Sequence, residues 1–356
     1  MSLKEAGIEH RSLDETLVAT IRRPFRTRRE LRAMLDEVAR AIPEGVIAGP
    51  AFCIYHWITS IRDGDDGEAG FPVYRAVETG DVRTRLLPAM EVLSLAHRGP
   101  ADRIGETYTT LFRTAAQQGL ISDEFMVEVY PDAGNPEGSE IEVRFVLHDW
   151  FGLLRSNLER VLGAEAAQSV MQDSDAITLE SAVDDRFSWV KGAMARLDRV
   201  AGEHQKYDAV SGCAHVFARE QIAKLAEVYS AARMETDDPL AAVDAILEFM
   251  DGDPGWAERP RREGRVLYAS KKPRDPKAHE SARNDAERRR AACFCPLVRT
   301  HLEDGGMPVT FCYCGAGWYR QQWEGALGKP VRIEIVESLV KGDDRCTFAV
   351  YLPEDL

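Results

Sequence analysis

No run in this chain approaches the roughly 20 apolar residues that a membrane-spanning helix needs, and the N-terminus lacks the apolar stretch and cleavage site of a secretory leader. These absences lead to the expectation of a cytoplasmic protein with no membrane partner. Positive charge is short as well: 45 lysines and arginines stand against 59 aspartates and glutamates, a formal net charge of −14. A surface of that sign repels phosphates, so no direct nucleic-acid partner is expected. The glycines after Cys314 do not make the G-x-x-x-x-G-K-S/T run of a nucleotide-binding loop. What is present, 356 residues of which 44% are hydrophobic, suffices for two or three packed domains.

The first 150 residues carry a diverged internal repeat. Residues 17–21 read as a strand and Pro24 as its break, and 28–42 carries Leu31, Met34, Leu35 and Val38 at helical spacing. The order recurs in a strand over 92–97, a break at Arg98-Gly99-Pro100, and a helix marked by Ile104, Tyr108, Leu111, Phe112 and Ala115. Each copy is completed by two strands, 51–59 and 71–78 around an exposed turn at 62–67, then 125–130 and 141–147 around a turn at 131–138. A β-α-β-β unit used twice predicts one antiparallel sheet with both helices on one face and a cleft on the other, an α+β fold.

Within that repeat, Phe125-Met126-Val127-Glu128-Val129-Tyr130 sets a carboxylate in a β-forming apolar run. Alternation puts Met126, Glu128 and Tyr130 on one face. A carboxylate there must be hydrated, paired with a cation, or protonated. The same parity groups Cys53, Tyr55 and Trp57, with Tyr74, His97 and Tyr108 as weaker candidates for the pocket wall. Aromatic faces around a carboxylate suit a cationic ligand through charge and ring quadrupole together. The plainer alternative stays open: the aromatics are core, and Glu128 lies at a sheet edge or pairs with an arginine.

The motif Val92 to His97 with Arg98-Gly99-Pro100, the following helix and Val127-Glu128-Val129-Tyr130 resemble the GyrI-like family, the effector-binding domain of bacterial multidrug-sensing regulators and related stand-alone proteins. The resemblance covers about residues 13–147. It implies a pocket for cationic, lipophilic small molecules with Glu128 as the carboxylate that meets them. The family's regulators add a DNA-binding helix-turn-helix segment, usually before this domain; none is seen here, so a direct transcription-factor role is not expected.

Beyond residue 150 the pattern turns helical to about 250, with stripes such as Leu153, Leu154, Leu158, Val161 and Leu162. Residues 251–290 are rich in proline and charge and read as a connector or surface strap. The last stretch, 291–356, is cysteine-rich and α+β in pattern; 151–356 can equally be one domain. Cys293-Phe294-Cys295 and Cys312-Tyr313-Cys314 are two C-x-C pairs, and in extended backbone residues two apart share a face at about 6.5–7 Å. Four such thiolates are enough for zinc or for an iron–sulfur cluster, with Cys213, His215 and Cys346 as substitute ligands. Buried structural thiols and a redox pair are the competing readings. A helix over 318–327 after Gly315-Ala316-Gly317, a hairpin over 331–352 and the late cysteine are similar to the end of the 4-vinyl-reductase type small-molecule domain, over about 312–353.

Three functions remain open at this level. The first is binding of an amphipathic, aromatic or cationic small molecule at Glu128. The second is an enzyme, a hydrolase of a reactive small molecule with Glu128 as general base toward water and Tyr130 or Tyr55 donating to the oxyanion. The third is a metal or redox protein acting through its cysteines. A homo-oligomer is compatible with each.

Overall fold

The computed structural model describes residues 3–56, 65–131, 140–178, 181–215, 217, 219–253, 256 and 258–356. The fold is α+β, and the chain divides into two compact units, Met1–Asp149 and Trp150–Leu356. Among the described residues no helix is long and apolar enough to cross a membrane.

Unit 1 contains strands β1 (Glu9–Leu13), β2 (Thr16–Phe25), β3 (Ala51–His56), β4 (Asp65–Pro72), β5 (Arg83–Leu87), β6 (Met90–His97), β7 (Ser122–Tyr130) and β8 (Ile141–Leu147), with helices α1 (Arg28–Ala41) and α2 (Ile104–Gln117). The strands form one antiparallel sheet in the order β1-β6-β8-β7-β3-β4-β2-β5. The two copies of the repeat, β2-α1-β3-β4 and β6-α2-β7-β8, meet where β7 pairs with β3, so Glu128 lies directly opposite Cys53 and Met126 opposite Tyr55. β1 and β5 are edge strands that the apolar pattern did not announce; β1 has no buried residue and β5 none either. The expected strand over 71–78 ends instead at Pro72, and β4 begins at Asp65.

Pro24 does not break its strand. It stays in β2 and faces Asp66 of β4. Pairing with β5 ends at Thr20, so among the described residues the proline has a neighbouring strand on one side only, where a missing N–H is tolerated.

Helix α1 starts because Thr27 accepts a hydrogen bond from the Glu30 amide at 3.2 Å, while the Glu30 carboxylate accepts one from the Arg26 amide at 2.8 Å. Its buried side chains are Leu31, Met34, Leu35 and Val38, the i, i+3, i+4, i+7 stripe, and truncating Leu31 to alanine would cost about 2–5 kcal/mol. On the other sheet face Val18, Phe52, Ile54, Val92, Val127, Val129 and Val146 form an apolar cluster. Both sheet faces are apolar, and Glu128 belongs to the other one, where Ile21, Cys53, Met126, Val143 and Phe145 are buried as well.

Unit 2 is built on α3 (Trp150–Leu162), α4 (Ala164–Val170), α5 (Val183–Val200), α6 (Glu203–Ser211), α7 (Arg219–Glu235) and α8 (Pro239–Gly252), followed by β9 (Arg261–Glu263), β10 (Val266–Ser270), α9 (Pro276–Glu280), α10 (Asp285–Ala292), α11 (Pro296–Arg299), α12 (Tyr313–Leu327), β11 (Arg332–Glu337) and β12 (Thr347–Tyr351). A core of Trp150, Leu154, Leu158, Val190, Met194, Leu197 and Val210 joins α3, α5 and α6. Helix α12 packs against the end of α6 so closely that a Cβ on Gly317 would lie 1.9 Å from the Ser211 carbonyl oxygen, a contact only glycine permits. The four-stranded sheet runs β11-β12-β10-β9. Residues 251–290 thus supply two strands of this sheet, because Leu267 and Ala269 alternate inward, rather than forming a solvated connector.

Candidate functional site

Glu128 is 0% exposed, and four donors converge on it. Tyr108 of α2 donates to Oε1 at 2.8 Å, and the Arg28 guanidinium of α1 reaches the same oxygen. Tyr55 of β3 and Tyr130 of β7 donate to Oε2 at 2.8 and 2.5 Å. With partners on both helices, the site lies on the helix face of the sheet and not on the opposite face, where the sequence pattern had placed a cleft. That opposite face is occupied by the valine-rich cluster.

Arg28 is held in a ring cage. Its guanidinium carbon lies 5.0 Å from the centroids of both Tyr55 and Tyr108, and Phe25 meets Tyr55 edge-on at 5.8 Å. Arg32, one turn further along α1, lies over Tyr130 at 5.4 Å with Nε 3.3 Å from its hydroxyl, while its buried Nη2 has no hydrogen-bond partner among the described residues. Burial alone would lower Arg28, but Glu128 and the tyrosines outweigh it and raise the guanidinium overall. The same burial, with Glu128 second, pushes Tyr55, Tyr108 and Tyr130 well above the usual phenol range, so all three are donors. Cys53, opposite Glu128, is likewise raised by burial and then by the carboxylate.

Two donors on each oxygen fill the acceptor positions of a carboxylate. In this arrangement each Glu128 oxygen already accepts two hydrogen bonds.

The expected site residues fall into three groups. Tyr55, Tyr108 and Tyr130 join Glu128, and buried Met126 sits beside them, facing Tyr55 and Phe145 in register. His97 does not: it bonds to the Thr107 hydroxyl at 2.9 Å and to the Pro100 carbonyl at 3.0 Å, and β8 lies between its strand and β7. Tyr74 is 75% exposed and is no pocket wall. Trp57, with parts of both turns at 62–67 and 131–138, lies outside the described residues. Arg28 and Arg32 were missed. Their i, i+4 spacing beside the Leu31–Leu35 stripe was the available signal.

Unit 1 has a second buried carboxylate. Glu68 on β4 receives Arg85 at 2.8 and 2.6 Å and contacts His56 at 3.1 Å. Burial pushes it up, but these bonds and one with Thr20 prevail and bring it down to about 2.

In unit 2 the cysteines are free thiols. Cys293, Cys295 and Cys346 pack around Leu339, and Cys312 lies 3.1 Å from the Ser338 hydroxyl. Cys314 turns away toward the Cys213 carbonyl at 3.6 Å. The second C-x-C pair is not extended: α12 begins at Tyr313, earlier than expected, and Cys312 has helical angles, so sulfurs two apart diverge. Among the described residues no three His, Cys, Asp or Glu side chains are arranged to hold a metal ion, and the His215 ring lies tilted by 44° against Trp318 at 4.6 Å. Burial pushes Cys293 and Cys295 up to about 12 and Cys314 to about 11.

Near them, Glu258 accepts a hydrogen bond from Tyr319. Burial raises its pKa, opposed by Tyr319 and by Lys271 and Lys272. The Lys271 ammonium stands over Phe294, Trp318 and Tyr319 at 5.2, 5.9 and 5.8 Å.

No family model and no curated protein matches the sequence. Solved structures that resemble part of the chain include the EcmrR–DNA complex, at 20% identity and a TM-score of 0.36 over 39% of this chain. That match spans 56% of EcmrR's length. The EcmrR C-terminal domain is similar at 18% identity and a TM-score of 0.35, over 39% of this chain and 96% of that domain. SAV2435, bound to tetraphenylphosphonium, is similar at 10% identity and a TM-score of 0.30, over 44% of this chain and 98% of its own.

Proposed function

We propose that unit 1 binds an amphipathic small molecule with a cationic, aromatic part at Glu128. The observation that supports this reading is the cage itself: a fully buried carboxylate with the faces of Tyr55 and Tyr108 5.0 Å from a planar cation. Such a set recognises charge and flat shape together, and the phenols give the carboxylate hydrogen bonds that make its burial tolerable. With Arg28 in place no Glu128 lone pair is free for a water, so the hydrolase reading requires that Arg28 leave first.

Calorimetry on the full chain with tetraphenylphosphonium and a neutral aryl analogue tests the proposal. The expected result is binding of the cation, weakened at least about tenfold by Glu128→Gln, equivalent to about 1.4 kcal/mol. Absence of binding by both probes, or equal binding in wild type and Glu128→Gln, would remove it.

A further inference from the structure

We infer that Arg28 is the specificity-determining residue of the Glu128 site: it is a resident competitor, occupying the cation position until a ligand displaces it. The inference rests on the proposed binding function and adds what controls entry.

Arg28 is the first residue of α1, just after the Thr27 cap. Its backbone is fixed by the cap, while the long side chain leaves from the very end of the helix and can swing without unwinding a turn. It is also the member of the set that meets water: its side chain is 26% exposed, against 0% for Glu128, and the three tyrosines are buried. Its guanidinium makes each contact a ligand would need, an ion pair to Oε1 and the faces of Tyr55 and Tyr108.

Two consequences follow for the ligand. A molecule that displaces Arg28 must replace its charge as well as its ring contacts, because the remaining cation, Arg32, lies over Tyr130 and bonds to that phenol rather than to the carboxylate. Planar, delocalised, weakly hydrated cations meet both demands; a neutral aryl compound leaves Glu128 without its cation, and a small ammonium ion forfeits the stacking. The second consequence is a penalty on affinity. A tethered guanidinium competes at high effective concentration, so only the fraction of molecules with Arg28 swung out is competent, and apparent affinity falls by that fraction.

The test compares full-length wild type, Arg28→Met, which keeps an unbranched apolar stem without the charge, Arg28→Lys, and the double variant Arg28→Met/Glu128→Gln. Benzamidinium, a planar cation, and neutral benzamide are the probes, read by calorimetry and by the shift in melting temperature. Arg28→Met should bind benzamidinium at least about tenfold more tightly than wild type, Arg28→Lys should fall between them, and the double variant should lose the gain. Benzamide should discriminate little among the four. If wild type and Arg28→Met bind benzamidinium equally, Arg28 is no competitor, while the proposed binding function stands. If no variant binds either probe, both proposals fall. If Arg28→Met does not fold even with millimolar benzamidinium present, Arg28 is a structural ion pair and the inference is overturned.

Discussion

Unit 1 and unit 2 each set a glutamate against tyrosine beside an aromatic-caged cation, fully buried at Glu128 and half-buried at Glu258, yet they treat its charge differently. Glu128 has four donors, one of them a guanidinium, and Glu68 is similarly clamped by Arg85 and His56. Glu258 has Tyr319 as its hydrogen-bond donor, while Lys271 stays with the rings. Burial is thus answered in unit 1 and left largely unanswered in unit 2, and the pKa directions record it: Glu68 falls to about 2 and Glu258 rises. The lesson is that a buried carboxylate is read by its donor count rather than by its depth.

The comparison can be broken most sharply by truncation. Glu128→Ala would strand three buried phenols at about 1–3 kcal/mol each, so a loss of about 3 kcal/mol or more is expected, against about 1–3 kcal/mol for Glu258→Ala, which strands one. Urea unfolding of the two variants decides; equal losses would mean that donor count does not matter.

Titration comes next. Glu68 is depressed from 4.5 to about 2, so it contributes stability above its unfolded value that is lost as pH falls through about 2. Across that window the contribution is ~3 kcal/mol, and Glu68→Gln should flatten the acid limb of the stability curve. Glu258 carries the opposite sign. Its raised pKa means that its contribution is full below about 4.5 and lost as pH rises through the folded value, so Glu258→Gln should gain stability at neutral pH relative to pH 4. A gain at acid pH would reverse the assignment.

The smallest effect concerns the thiols. Held at about 11–12, Cys293, Cys295 and Cys314 carry little thiolate, and iodoacetamide at pH 8 should label them only after unfolding, as intact-mass spectrometry would report. Rapid native labelling would show that unit 2 does compensate charge at its sulfurs.

Much of unit 1 was legible because period and parity are local. Alternation grouped Met126 and Tyr130 with Glu128, but which side of the sheet that face takes, and the register that sets Tyr55 opposite Met126, came only with the fold. Strand order is not local, which is why His97, two strands away from β7, was placed in the wrong company. Arg28 and Arg32 escaped because charged residues in a first helical turn look solvated until a distant strand supplies a carboxylate. The second C-x-C pair misled for a related reason: its geometry depends on where α12 begins, and nothing in Cys312-Tyr313-Cys314 marks that start.

Pro24 bears on how this sheet ends. The Leu17 carbonyl accepts from Val73 on the β4 side, so by parity Pro24 points the other way, outward, beyond the last residue that β5 covers. An N–H there would offer a foreign strand a place to dock. Its absence, next to Arg22 and Arg23, makes the half of β2 that no described strand pairs on that side a poor template for self-addition.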